Sequence, residues 1–274
     1  ADVPTDYATP TGVFSPYNYD RRFHGPVRLR LALANSLNVT AVKVLEHVGG
    51  AAALQKRLQQ CGLTTLNARP AHYGLGLTIG NAEARLLELA NAFATLGRLG
   101  VHRPYRLLET DQQSAHRIFD VRHAWLIADM LSDNDARAQA FGFDSALTFN
   151  FPVACKTGTS SEFRDNWAIG YTPEFTVGVW VGNFDGSPMR NISGVTGAAP
   201  VMHSVMSHLH ERFGTSWFKR PTDIVSVHID QVSGKQLNQG VYEWFVKGNL
   251  PPFETSDDRD MLGRAKLGPK YAEW

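Results

Sequence analysis

The 274 residues give enough chain for one large domain, and 43% apolar against 19% charged residues is an ordinary globular balance that argues against wholesale disorder. Lys plus Arg (27) nearly equals Asp plus Glu (26), so no strong field supports nucleic-acid binding. No apolar run reaches the ~18 residues of a membrane helix, Ala1-Asp2-Val3-Pro4 is not a signal peptide, and Cys61 and Cys155 lack metal-ligand spacing and read as small buried hydrophobes.

Residues 1–25, rich in Pro, Gly, Thr, Tyr and Asn, read as an irregular connection, with Pro26 at the first position of a helix. Val27 to Asn35 favours helix, and Val39 to Val48 resumes it with Val42, Leu45 and Val48 on one face until Gly49-Gly50. Ser36-Leu37-Asn38 lies between them. A helix over Ala51 to Gln60 follows, ending at Gly62. Gly74-Leu75-Gly76-Leu77-Thr78-Ile79-Gly80 is not a phosphate loop, because no Gly-Lys-Ser/Thr follows. Asn81 to Leu99 carries an apolar stripe of Leu86, Leu89, Ala90, Phe93 and Leu96 and predicts an amphipathic helix. Pro104 to Glu109 and Ser114 to Phe119 suggest short strands, Val121 to Leu131 a helix, and Ser132 to Asp135 a polar loop. A three-strand meander is predicted at 153–161, 165–172 and 175–183, with Pro173-Glu174 in its second turn. Ala198 to Phe213 predicts a helix with Val201, Val205, Met206 and Leu209 inward, and Ile224 to Ile229 a strand before a Pro-, Gly- and charge-rich tail from Gly248.

The first strand of the meander ends in Lys156-Thr157-Gly158-Thr159-Ser160. From Lys156 to Thr159, one ammonium, two hydroxyls and an unshielded backbone in a row can grip a carboxylate and offer amide N–H groups to a carbonyl oxygen. A side chain at Gly158 would hold a substrate off the strand. Ser36 and Asn38 sit where a hydroxyl and an amide can leave a helix face and point into a cleft; the plainer alternative is a turn in which Asn38 caps the next helix.

The order Ser36-x-Asn38, then Lys156-Thr157-Gly158-Thr159, resembles the transpeptidase domain of class A penicillin-binding proteins. The context is similar too: Leu33 to Val39, Gly74 to Leu77, Leu87 to Ala94, and Phe163-Arg164-Asp165-Asn166-Trp167 through Pro173. Val179 to Asn183 and Gly194-Val195-Thr196-Gly197-Ala198-Ala199-Pro200 point, with 163–167, to the penicillin-binding protein 1C branch. The resemblance implies an α+β fold like that of penicillin-binding proteins and serine β-lactamases, an antiparallel sheet flanked by helices with a helical lobe. It implies 1–220 as the C-terminal portion of the domain and 221–274 as a strand and irregular tail. Ser36 would relay a proton, Asn38 would bond the peptide amide, and Lys156 would favour negative charge. Thr157, Gly158 and Thr159 would bind substrate, the hydroxyls holding a carboxylate and the Thr159 N–H serving the oxyanion. The partners implied are peptidoglycan stem peptides and β-lactam antibiotics, outside the cytoplasmic membrane, with attachment only through an anchor absent from this sequence. No metal or organic cofactor is implied. Alternatives are a serine β-lactamase or D,D-carboxypeptidase-like hydrolase, and a non-catalytic peptidoglycan-binding scaffold.

The nucleophile motif S-x-x-K should precede Ser36, and Ser15-Pro16-Tyr17-Asn18 supplies no lysine. Ser216-Trp217-Phe218-Lys219 spells the motif but follows Lys156 and reads as coincidence. The expectation is therefore a fragment, inactive alone, that needs the missing N-terminal part of its domain and leaves a strand edge exposed. His203, His208 and His210 read as partly solvated helix histidines, and Asp257 to Asp260 as a solvated charge run. Trp180 and Trp244 read as core or interface, and Arg164 and Asp165 as either orienting the Lys156 strand or forming an ion pair.

Overall fold

The computed structural model describes residues 1–9, 12–111, 114–190 and 192–272. Strands β1 (Tyr7–Thr9) and β2 (Gly12–Phe14) form a small hairpin inside the stretch expected to be irregular, and an isolated bridge ties Asp2 to Gly25. Helices α1 (Leu29–Ala34), α2 (Asn38–His47) and α3 (Gly50–Gln60) follow, then α4 (Pro70–Tyr73), a 3-10 turn over Gly74–Ile79 and α5 (Leu86–Gly97). Strands β3 (Val101–His102) and β4 (His116–Arg117) pair, and helices α6 (Val121–Ser132) and α7 (Asn134–Phe141) lead into β5 (Ala154–Thr159), β6 (Asp165–Tyr171) and β7 (Thr176–Gly182). Helix α8 (Ala198–Phe213) and the hairpin β8 (Ile224–Ile229) and β9 (Val241–Val246) complete the order.

The predicted meander is present as a three-stranded antiparallel sheet in the order β5-β6-β7, with Lys156 opposite Ile169 and Gly158 opposite Trp167. Helix α8 covers one face, where Cys155, Ala168 and Val177 meet Ala198, Ala199, Met202 and Met206. A Cβ at Gly170 would lie 2.7 Å from Met202 Sδ, so glycine lets this helix close onto the strand. On the other face Ala154 and Tyr171 join Trp125, Ala128, Leu131, Phe218 and Ile224. A separate cluster of Cys61, Leu63, Leu66, Tyr73 and Leu77 forms the core of the helical lobe. The outer edges of β5 and β7 pair with no strand among the described residues.

Several expectations need correction. Helix α1 starts at Leu29, with Arg28 in the cap position, so Pro26 is not a first helical residue. Val48 ends α2 exposed. Helix α5 begins only at Leu86, because 81–85 run as extended and bent chain and Arg85 takes the cap position. Val101–His102, not 104–109, pairs with His116–Arg117. In α8 Met206 is buried and Leu209 packs on the core as expected, but Val201 and Val205 are exposed, and Met202 and His210 complete the inward face. Helix α7 replaces the expected loop at its start, and β9 gives the tail a second strand, so 221–274 is more than one strand and irregular chain. No helix among the described residues is long and apolar enough to cross a membrane.

Candidate active site

The turn between α1 and α2 carries Ser36 and meets the edge strand β5. Ser36 adopts φ 58, a left-handed conformation unusual for a residue with a Cβ, and this swings its side chain out of the helical path. Lys156 Nζ, from β5, donates to Ser36 Oγ at 2.6 Å across a sequence separation of 120 residues, and to the Thr157 carbonyl at 2.8 Å. No carboxylate pairs with Lys156 among the described residues. Burial without a counter-charge pushes its ammonium down to about 8 from the ordinary 10.5. Because Ser36 Oγ accepts from the lysine, its own proton is free to be donated elsewhere.

Asn38 is the first residue of α2, whose cap position is Leu37, so the capping alternative is not what forms. Its Nδ2 donates to the Tyr17 carbonyl at 3.1 Å. The N-terminus of α2 is instead capped from a distance: Asn18 Oδ1 accepts from Val39 N–H at 3.2 Å. Asn18 is itself buried, and its Nδ2 donates to both carboxylate oxygens of buried Asp2 and to the Arg22 carbonyl. His24 adds its backbone N–H and Nδ1 to Asp2 Oδ2. The N-terminal stretch is therefore part of the frame that holds the Ser36–Asn38 turn.

Along β5 the side chains alternate, with Thr157 and Thr159 toward α8 and Gly158 toward Trp167. Ser160 N–H bonds the Asp165 carbonyl, so residues of that parity face β6 and the N–H groups of Thr157 and Thr159 face the open edge. Thr159 Oγ1 accepts from Gly194 N–H at 2.9 Å, while no described residue bonds the Thr157 hydroxyl. A Cβ at Gly194 would fall 2.7 Å from the Gly158 carbonyl oxygen, so only glycine lets that loop approach. At Gly158 itself a Cβ would rest 3.6 Å from Trp167 Cβ, ordinary contact, so internal packing does not demand glycine there.

The other singled-out residues fall elsewhere. Ser216 lies in irregular chain and hydrogen-bonds Glu174 in the β6–β7 turn. Arg164 pairs with Glu162, whereas Asp165 accepts from the Trp180 indole at 2.7 Å, so the two do not form an ion pair with each other. Trp244 packs edge-on against Trp125. His208 is exposed, but His210 is buried rather than partly solvated. Its Nδ1 donates to the Gly214 carbonyl, leaving Nε2 to accept from Thr172. Asp257 is exposed, and Asp258 and Asp260 keep contact with solvent while pairing with Lys235 and Arg264. Both cysteines are buried and unpaired, and burial pushes each thiol up to about 11.

These observations agree with the comparisons. The family described as penicillin binding protein transpeptidase domain matches residues 2–207. The chain belongs to the penicillin-binding protein transpeptidase family. It is 33% identical over 260 residues to penicillin-binding protein 1C of Escherichia coli (strain K12), covering 92% of this chain and 33% of that protein. It is 30% identical over 263 residues to penicillin-binding protein 1A of Aquifex aeolicus (strain VF5), covering 90% of this chain and 35% of that protein. The chain thus spans about a third of the length of these relatives. The fold resembles that of penicillin-binding protein 1A from Haemophilus influenzae, with a TM-score of 0.77 at 22% identity over 91% of this chain and 44% of that one. A second solved relative, the PonA1 protein from Mycobacterium tuberculosis in complex with penicillin V, aligns with a TM-score of 0.61 at 19% identity, covering 84% and 66%.

Proposed function

We propose that these residues form one wall of a serine-type D,D-transpeptidase cleft that cross-links peptidoglycan stem peptides and is acylated by β-lactams. What carries the proposal is the 2.6 Å hydrogen bond from Lys156 to Ser36, which joins two motifs far apart in sequence. In this reading 1–220 belong to the catalytic domain and 221–274 to a C-terminal appendage, acting on the periplasmic side of the inner membrane. The acylated serine lies outside this sequence, in the part of the domain that completes the cleft, so these residues alone do not turn over substrate.

The chemistry is acyl transfer. The nucleophilic serine, its proton taken by a base in the part of the domain outside this sequence, attacks the carbonyl between two terminal D-Ala residues, and the resulting oxyanion accepts from the outward N–H of Thr159. Lys156 donates to Ser36, and Ser36 passes its proton to the departing nitrogen as the C–N bond breaks, releasing D-Ala. An amine of a neighbouring stem peptide then attacks the serine ester and returns a proton through Ser36. Thr159, whose lone pair is taken by Gly194 N–H, has its hydroxyl proton directed outward to donate to the substrate carboxylate, together with Thr157. The Asn38 amide holds the peptide backbone.

The test is turnover of a synthetic stem peptide by the full-length gene product. Release of D-Ala with formation of a cross-linked dimer is expected. Release with hydrolysis alone identifies a carboxypeptidase or β-lactamase-like enzyme, and binding without release identifies a scaffold; either result refutes the proposal.

A further inference from the structure

The end of α1 that leads into Ser36 is keyed to α7 by one side chain. Asn35, buried at the end of α1, donates from Nδ2 to the Leu31 carbonyl at 2.9 Å and to the Ala136 carbonyl at 2.7 Å, and its Oδ1 accepts from Ala140 N–H at 2.9 Å. Ala136 and Ala140 are four residues apart on α7, the acceptor and donor that a helix pairs with each other. The Asn35 amide thus bridges the ladder of α7 and keys the end of α1 to it. The next residue is Ser36 in its left-handed conformation. Such a conformation persists only where its surroundings over-determine it. The backbone bonds Ser36 N–H to Leu33 and Leu37 N–H to Ala32 tie the turn only to its own helix. Arg30 fixes the other end of α1 to the same region through Asp129 and Asp133, so α1 is set against α6 and α7 at both ends.

We propose that Asn35 is a positioning residue: its amide, keyed into α7, aims the Ser36 hydroxyl at Lys156. It touches neither substrate nor lysine and acts only through Ser36. The inference rests on the proton-relay reading of Ser36 given above. The requirement is directional. An alanine at 35 removes three hydrogen bonds and leaves the Ala136 carbonyl and Ala140 N–H to pair within α7, so α7 survives while the turn loses its tie to that helix. A displacement of the hydroxyl by about 1 Å is enough to cost about 10²-fold in rate.

A double-mutant cycle on the full-length protein decides it, read as the rate of acylation by a fluorescent penicillin with the initial binding constant and the acylation step resolved. Asn35→Ala is expected to slow the acylation step by about 10²-fold with initial binding unchanged. In a Ser36→Ala background the same substitution is expected to change the rate by less than about twofold. Equal losses in both backgrounds, or a loss confined to initial binding, overturn the positioning role. A Ser36→Ala variant as fast as the parent overturns the relay reading, and the inference with it. If Asn35→Ala fails to accumulate as folded protein, Asn35→Asp enters the same cycle. It keeps the acceptor for Ala140 N–H and loses both donated bonds, and the same two outcomes apply.

Discussion

Replacing Lys156 by arginine separates the charge at this position from its titration. Burial lowers the lysine from 10.5 to about 8, and at 1.36 kcal/mol per pH unit the cleft favours its neutral form by about 3 kcal/mol relative to water. The sign follows directly: a lysine lowered in the folded state costs stability below pH 8, and that stability is recovered as pH rises toward 10.5. At pH 7 about nine in ten molecules still carry the charge. If the charged lysine drives the relay through Ser36, the rate of penicillin acylation is level from about pH 6 to 7.5 and falls above pH 8. Arginine stays charged throughout this range. In Lys156→Arg the alkaline fall is expected to disappear up to about pH 10, on a plateau lowered by about 10²-fold because the guanidinium cannot reproduce the 2.6 Å contact. Acylation rates measured from pH 6 to 10 on both proteins decide the matter. An alkaline fall that stays near pH 8 in the arginine variant would assign the titration to another group and refute the reasoning.

The buried Asn18 is the second target. Asn18→Ala strips a donor from the Asp2 carboxylate and the acceptor from Val39 N–H, and is expected to destabilise the protein by about 3 kcal/mol. A melting temperature within a degree of the parent would contradict the framing role of residues 1–25. His102 offers a pH test: burial first, then the charges of His116 and Arg98, hold its imidazole below the ordinary 6.5. Its contribution to stability is full above pH 6.5 and is lost as pH falls below that value, because the unfolded chain protonates first. Thermal melts between pH 8 and 5 should fall less steeply for His102→Gln than for the parent; parallel curves would show that His102 is not the group responsible.

The meander was legible because β-branched residues alternate with small ones between clear turn signals, and α6 because its apolar period is regular. The face of α8 is half legible: Met206 and Leu209 pack inward as expected, and Val201 and Val205 do not. Val201 and Val205 look more apolar than His210, yet His210 is buried because both ring nitrogens find partners in Gly214 and Thr172. Helix α7 has no apolar stripe to read; it buries Ala136 and Arg137 and starts on the Asp133 cap. Asn35 is hidden as the last residue of a helical run, and Asp2 and Asn18 are hidden for a related reason. Polar residues in turn-rich chain signal exposure, and only the fold reveals that their hydrogen bonds are satisfied inside. The pairing of Ser36 with Lys156 could be read from motif order, since no local pattern links residues so far apart.

If Ser36 and Lys156 serve a serine outside this sequence, that serine is where penicillin attaches. Mass-spectrometric mapping of the penicillin adduct on the full-length protein tests it most directly. A single adduct is expected on a serine beyond these 274 residues, formed more slowly in Ser36→Ala. An adduct on Ser36 or Ser216 would contradict it.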